Sequence, residues 1–285
     1  MVCLSEQTQK ADPRHNIKGA DGVGDIVNFA RYPIADLEKS EARKFIERCQ
    51  ASLSTSSACL LPEFVRPECI VAMAREAESV ASQAHQQHNQ FSPYIGDDCP
   101  PDLPADHPRR HLEQTDQAAV AWDEIPPQSA IHRLYMWDGL TDFLRSVLNK
   151  DALFRSADPL AACNLAFIGE GGQLGWHFDS SEFSITLQVQ APESGGEFQY
   201  VPNIREVGRE NYDSVAGVLR GDYSKVIRVA CVPGSLSIFR GRRSIHRVTP
   251  VAGQRARITA VLTYAETAGF LVSDYSKKTF YGRLN

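Results

Sequence analysis

The chain has 285 residues, of which 42% are hydrophobic and 23% are charged, and this composition argues against global disorder. The formal net charge of −5 provides no bulk attraction to nucleic acid or to anionic lipid. No apolar run approaches the roughly 20 residues needed to span a bilayer, and the first residues lack the order of a secretory signal. We therefore expect a small molecule as the partner, and neither nucleic acid nor a membrane.

The first half of the chain is predicted to be mainly helical. Residues 1–30 are polar and contain glycine, and they are predicted to form a flexible N-terminal arm. Apolar residues at helical spacing then predict three helices, at 37–52, from Pro67 towards Gln87, and at 137–149. The proline-rich segment 92–110 is predicted to be a long irregular loop, of the kind that often forms a lid or a binding segment.

From about residue 160 the pattern changes to short strands separated by Gly-Gly and Pro-Gly turns. The predicted strands are 164–168, 183–189, 197–201, 226–232, 236–239 and 258–264. Successive short strands without intervening helices are typical of an antiparallel barrel or jelly roll. The predicted fold class is therefore mainly β with flanking α: one domain over 31–285, in which a helical part (31–155) buttresses a β core (156–285).

Seven cysteines are widely spaced and include no Cys-x-x-Cys. An odd number without metal-ligand spacing is not typical of a disulfide framework or of a zinc site. A reducing, cytoplasmic setting is therefore expected.

Three residues are candidate metal ligands. His177 and Asp179 are two positions apart, so on a strand their side chains point to the same face. A lone His-x-Asp is common by composition, but His246 follows at the start of another strand-like stretch. Two imidazoles and one carboxylate form the set that leaves one face of an octahedral metal open, which suits Fe(II) enzymes that activate O2.

Two arginines follow the second histidine. A guanidinium can bind a carboxylate through two parallel hydrogen bonds, as the distal carboxylate of 2-oxoglutarate would require. Arg255 and Arg257 would share a strand face, and either could serve. Arg257 is preferred, because Thr259 follows on that face as a hydroxyl donor. Asn164, at the start of the first predicted strand, is a further candidate contact to this cosubstrate.

With these residues the chain resembles the Fe(II)/2-oxoglutarate-dependent dioxygenases, and more narrowly the group acting on free amino acids that includes lysine halogenases and hydroxylating relatives. The resemblance covers about residues 30–283 and lies in these motifs: 175–179 (Gly-Trp-His-Phe-Asp), 195–198 (Gly-Gly-Glu-Phe), 233–241, 246–251 and 280–283. It implies a double-stranded β-helix (jelly roll, cupin-like), iron on His177, Asp179 and His246, and 2-oxoglutarate on Arg257.

One departure from that group bears on the reaction. Halogenating members have a small residue where this chain has Asp179, and the small residue frees a site for chloride. The resemblance therefore implies hydroxylation of an unactivated C–H bond of a small molecule, a free amino acid or derivative, with release of succinate and CO2. The implied setting is amino acid or secondary metabolism. The alternatives are desaturation or cyclisation of a larger metabolite or a peptide, and a non-catalytic β-barrel protein that binds metal.

Candidate substrate contacts are of two kinds. Apolar and polar side chains close to the metal motif or near the C-terminus could line a pocket: Leu174, Trp176, Phe178, Thr263 and Tyr281. Arg109 and Arg110, in the proline-rich loop, could bind the carboxylate of an amino acid.

Overall fold

The structure is a computed structural model that describes residues 22–95 and 99–285. Six helices are described: α1 (Ser40–Ser56), α2 (Pro67–Ser79), α3 (Ala130–Met136), α4 (Asp138–Leu148), α5 (Tyr212–Leu219) and α6 (Asp274–Tyr281). The strands of the first half are β1 (Ala58–Leu61), β2 (His85–Phe91), β3 (Glu113–Val120) and β4 (Phe154–Arg155). The remaining strands are β5 (Cys163–Ile168), β6 (Gln173–His177), β7 (Ser184–Gln190), β8 (Ser194–Gly195), β9 (Phe198–Val201), β10 (Ile227–Val229), β11 (Leu236–Phe239), β12 (Ile245–Val248), β13 (Val251–Ala252), β14 (Arg257–Leu262) and β15 (Tyr264–Ala265).

One large, strongly curled antiparallel sheet dominates the structure. Its strand order is β1-β11-β7-β14-β5-β3-β6-β12-β9-β10, and β2 pairs with β3. Two small sheets, β13-β8 and β15-β4, complete the described strands. The predicted fold class, mainly β with flanking helices, is confirmed.

The helices pack their apolar faces against this sheet. In α4, the buried residues Leu140, Phe143, Leu144 and Val147 recur at helical spacing, and the helix ends where Asn149 takes a left-handed conformation. The main hydrophobic core contains these residues together with strand residues such as Leu187 and Ile258. No helix among the described residues is long and apolar enough to cross a membrane.

Two predictions for the first half need correction. Val23, Ile26 and Val27 are at most 2% exposed and belong to the main core, so residues 22–30 are not a flexible arm. The rest of the predicted arm, 1–21, lies outside the described residues.

The second predicted helix is also too long. Helix α2 ends at Ser79, and His85–Phe91 forms strand β2 instead. Every residue of β2 is in antiparallel register with β3, for example Gln87 opposite Gln117. A weak local preference for helix yields here to pairing with a strand that is distant in the sequence.

Candidate active site

The two candidate histidines are cross-strand neighbours. His177 ends β6 and His246 lies in β12, and the antiparallel register places them directly opposite each other. Their ring centroids are 4.1 Å apart. Asp179 follows β6 and brings Oδ1 to 3.8 Å from His177 Nε2 and 3.4 Å from His246 Nε2. Among the described residues, this is the only group of three or more His, Cys, Asp or Glu side chains that could hold a metal ion.

Backbone carbonyls set the orientation of both imidazoles. Nδ1 of His177 lies 2.8 Å from the carbonyl of Gly175, and Nδ1 of His246 lies 2.9 Å from that of Ser244. Each Nδ1 therefore carries the proton and donates it to a carbonyl, because a carbonyl oxygen only accepts. The unprotonated Nε2 of each imidazole faces Asp179. A free Nε2 combined with a hydrogen-bonded Nδ1–H is the usual arrangement of metal-binding histidines.

Burial and the local charges favour the protonation states that a metal needs. Burial, with the neighbouring His246, lowers the pKa of His177 to about 4. Burial by itself would raise the pKa of Asp179, but His246, His177 and the hydroxyl of Ser184 outweigh it and hold this pKa below its usual range. A neutral imidazole and an ionised carboxylate at neutral pH are the forms that bind metal.

The turn before β12 holds the Asp179 carboxylate in place. The Asp179 N–H donates to the carbonyl of Gly241 at 3.3 Å. A Cβ at residue 241 would overlap Oδ2 of Asp179, so only glycine leaves room for the carboxylate. The φ of Gly241 is not positive, so space alone requires glycine here.

A cavity of about 410 Å³ opens beside the three candidate ligands and is also lined by Arg257 and Thr259. The guanidinium of Arg257 is buried, and its Nη1 donates to Thr259 Oγ1 at 2.5 Å while its Nε donates to the carbonyl of Gly196 at 3.2 Å. No carboxylate pairs with Arg257 within 22–95 and 99–285. Because a buried cation without a counter-charge is costly, this site suits an anionic ligand.

The two candidate arginines have different surroundings. Arg255 is exposed and lies outside the cavity lining, and its side chain donates to the carbonyls of Ala191 and Pro192. Residue 255 precedes β14, so the two-residue period that would place it beside Arg257 does not apply. The geometry favours Arg257 as the carboxylate-binding residue. Asn164 also lines the cavity.

The predicted substrate contacts divide into two sets. Leu174, Thr263 and Tyr281 line the cavity. Trp176 and Phe178 do not, because they lie on either side of His177 along the chain and their side chains point to the face opposite the candidate ligands. Leu174 lines the cavity although it is only two residues before Trp176, because the pairing of β6 with β12 shifts its register between His177 and Leu174. Both belong to a separate apolar cluster with Tyr94, Val201, Ile204, Val215, Val218 and Ile245.

The two arginines of the proline-rich loop also lie outside the cavity lining. Nε of Arg109 donates to the hydroxyl of Tyr212 at 2.9 Å, and its guanidinium lies over the ring of Tyr94. Nη2 of Arg110 donates to the carbonyl of Pro101. The predicted role of this pair in binding a substrate carboxylate therefore has no support in the geometry.

Sequence reasoning missed several polar residues of the cavity. These residues lie at inward-facing positions of strands or in the segment after β10: Thr115, Gln117, Thr186, Gln188, Cys231 and Ser237. On β7, Thr186 and Gln188 alternate with the fully buried Ile185 and Leu187. That alternation distinguishes the two faces of the strand. Polar residues on its inner face were the sequence signal that could have identified these cavity residues.

The family model of Halogenase D matches residues 41–280. The chain belongs to the Halogenase D family. No curated protein sequence matches the chain. The family match and the His-Asp-His group confirm the expected class, an Fe(II)/2-oxoglutarate-dependent oxygenase with iron and 2-oxoglutarate as its cofactors.

Solved structures show the same fold at low sequence identity. The carbocyclase SnoK from nogalamycin biosynthesis is 11% identical, with a TM-score of 0.53, over 76% of this chain and 83% of that one. The epimerase SnoN of the same biosynthesis is 10% identical, with a TM-score of 0.52, over 79% and 83%. HygX from Streptomyces hygroscopicus, with nickel, 2-oxoglutarate and hygromycin B bound, is 14% identical, with a TM-score of 0.50, over 78% and 87%. These likenesses confirm the jelly roll.

Proposed function

We propose that this enzyme hydroxylates an unactivated C–H bond of a small molecule, a free amino acid or an amino acid derivative. His177, Asp179 and His246 would hold the iron, and Arg257 with Thr259 would bind 2-oxoglutarate. The observation that carries the proposal is the carboxylate of Asp179, which lies within 4 Å of both imidazole Nε2 atoms, at 3.8 and 3.4 Å.

The residues of the chain fit these two groups. The three candidate ligands are the 2-His-1-carboxylate set, and the pKa shifts of His177 and Asp179 favour the protonation states that metal binding needs. When bound, iron with 2-oxoglutarate and O2 supplies the oxidising power, and succinate and CO2 are released. Arg257 binds and orients a carboxylate from a buried position, where a charge-assisted pair is stronger than in water.

Asp179 supports oxygen transfer over chlorination. A halide ligand would need the position that a small residue leaves free, and here a carboxylate fills it. The bare α-carbon of Gly241 and the hydroxyl of Ser184 both contact this carboxylate, so the surroundings are built to hold it. Within the Halogenase D family, this chain is therefore proposed to be a hydroxylase.

The cavity lining supports a substrate whose buried part is uncharged. Among the described lining residues, the only charged or titratable groups apart from Cys231 and Tyr281 are the three candidate ligands and Arg257. Neutral hydrogen-bonding side chains provide the remaining polarity, and they include Thr115, Gln117, Asn164, Thr186, Gln188, Ser237, Thr263, Ser276 and Tyr281. The charged groups of an amino acid would then face the cavity mouth, while its side chain reaches the iron.

The test begins with anaerobic titration of the metal-free protein with Fe(II) and 2-oxoglutarate. We expect a weak visible charge-transfer band, which is lost in Asp179→Asn and His246→Gln. Amino acids and their amides are then screened for succinate release above the background without substrate. The reaction is repeated under ¹⁸O₂, and the mass of the product is measured by mass spectrometry. Gain of one labelled oxygen supports hydroxylation, and loss of two hydrogens indicates desaturation or cyclisation. Absence of the band would overturn the assignment.

A further inference from the structure

Arg205 lies behind the proposed iron site, on the side away from the cavity. Its side chain is only 11% exposed. Its guanidinium carbon lies 4.0 Å from the ring centroid of Phe178 and 5.3 Å from that of Tyr94. Phe178 is the residue between His177 and Asp179, so a contact that fixes its ring fixes the backbone that joins two proposed ligands.

The same side chain reaches the turn on the other side of Asp179. Nε of Arg205 donates to the carbonyl of Arg242 at 2.6 Å, and its backbone N–H donates to the carbonyl of Arg243 at 3.2 Å. This turn also contains Gly241, which accepts the N–H of Asp179 and leaves room for its carboxylate. Arg205 therefore connects the two backbone segments between which Asp179 is held.

A third segment joins this cluster from the start of the proline-rich loop. The Phe178 N–H donates to the carbonyl of Pro93 at 2.8 Å, and the rings of Tyr94 and Phe178 pack with centroids 5.2 Å apart. The neighbouring Phe91 and Ile95 line the cavity. Segment 91–95 is thus both a part of the cavity wall and a contact of the strand that carries the ligands.

We propose that Arg205 is a positioning residue for the iron site. It acts through its contacts with Phe178 and with the 240–243 turn, and its guanidinium also packs against the ring of Tyr94. Glu210 orients it through an ion pair, Nη1 to Oε2, at 3.1 Å. The proposal rests on the proposed function, because it assumes that His177, Asp179 and His246 bind iron. Arg205 does not line the cavity, so we assign it no contact with substrate or cosubstrate.

The planar guanidinium is the feature that matters. It stacks on aromatic rings and donates from Nε in a fixed direction, whereas a lysine ammonium is a flexible point charge. Arg205→Lys keeps the charge but loses the stacking and the Nε donor. Tyr94→Leu removes the second ring, while Tyr94→Phe keeps the ring and loses only a hydroxyl that has no hydrogen-bond partner among the described residues. Arg209→Lys, at an exposed position of the same loop, is the matched control.

The experiment measures Co(II) binding to the metal-free protein from the visible spectrum of the bound ion, and then succinate released per hydroxylated product. In Arg205→Lys and Tyr94→Leu, we expect the Co(II) dissociation constant to rise about tenfold or more, with an altered spectrum and more succinate per product. Tyr94→Phe and Arg209→Lys should match the native protein. A change confined to the unfolding temperature, with unaltered Co(II) affinity and spectrum, would overturn the proposal.

Two further outcomes separate the hypotheses. If Arg205→Lys does not fold, Tyr94→Leu decides: native Co(II) affinity in that variant overturns the positioning role, and weakened affinity supports it. If the native protein itself forms neither the Co(II) spectrum nor the Fe(II)–2-oxoglutarate band, the proposed function fails, and the positioning role with it. Native binding with unaffected variants instead overturns the positioning role alone.

Discussion

The carboxylate of Asp179 lies against the α-carbon of Gly241, at a point where any side chain on residue 241 would overlap Oδ2. The backbone of the same glycine accepts the N–H of Asp179. One residue of the turn before β12 thus sets both the backbone and the side-chain position of the only carboxylate in the candidate ligand set.

Gly241→Ala should therefore displace the carboxylate and weaken metal binding. We expect the Co(II) dissociation constant to rise by about 10- to 100-fold, as for losses of other contacts that orient metal ligands. Gly169→Ala is the matched control, because a Cβ there meets nothing within 4 Å and its φ is not positive. Titration followed by absorbance, with circular dichroism to verify folding, measures the effect. Native affinity in a folded Gly241→Ala protein would contradict the assigned contact.

Arg257→Lys should raise the KM for 2-oxoglutarate. The planar, two-pronged donor is lost while the charge remains, and hydrogen bonds to charged groups contribute about 1.5–3 kcal/mol, so an increase of about 10- to 100-fold is expected. Arg255→Lys, at the exposed position, should leave this KM unchanged. Steady-state rates of succinate formation against 2-oxoglutarate concentration give both values. The reverse result would assign the cosubstrate to Arg255.

The stability of the metal-free protein should fall as the pH drops from about 6.5 towards 4. Burial, with His246, lowers the pKa of His177 from an ordinary 6.5 to about 4 in the folded state. Between these values the unfolded chain binds more protons than the folded one, so the free energy of unfolding rises with pH. Denaturant unfolding in the presence of a chelator measures the slope. His177→Gln should flatten it, and His88→Gln, at an exposed position, should leave the His177 contribution in place.

Gln117→Glu should shift substrate preference towards cationic side chains. The native lining has no described carboxylate other than Asp179, so lysine should be a poorer substrate than neutral amino acids of similar length. The added carboxylate would pair with the ammonium group of a lysine side chain, for which the native lining has no counter-charge. Gln114→Glu, on the same strand but outside the lining, is the matched control. Substrate-dependent succinate release measures the preference, and a native enzyme that favours lysine would contradict the neutral pocket.

Local sequence determined the candidate ligands and the fold class. His177 and Asp179 share a face because side chains alternate along a strand, and this rule needs no tertiary information. Short strands separated by glycine turns likewise predicted the antiparallel β core, since the turn residues act within a few positions of the chain. The same alternation places Trp176 and Phe178 on the opposite face, but it fails for Leu174, which lines the cavity because the register between β6 and β12 shifts between Leu174 and His177.

Only the tertiary structure decided the remaining features, because they depend on which distant segments meet. Strand β2 forms through its pairing with β3, although its own sequence suggested a helix. The choice between Arg255 and Arg257 follows from where β14 begins. The contact between Asp179 and Gly241 joins residues far apart in the chain, and so do the contacts that Arg205 makes around Asp179. Alternation along a strand tells which face a side chain takes, but contacts between strands are set by the packing of the whole sheet.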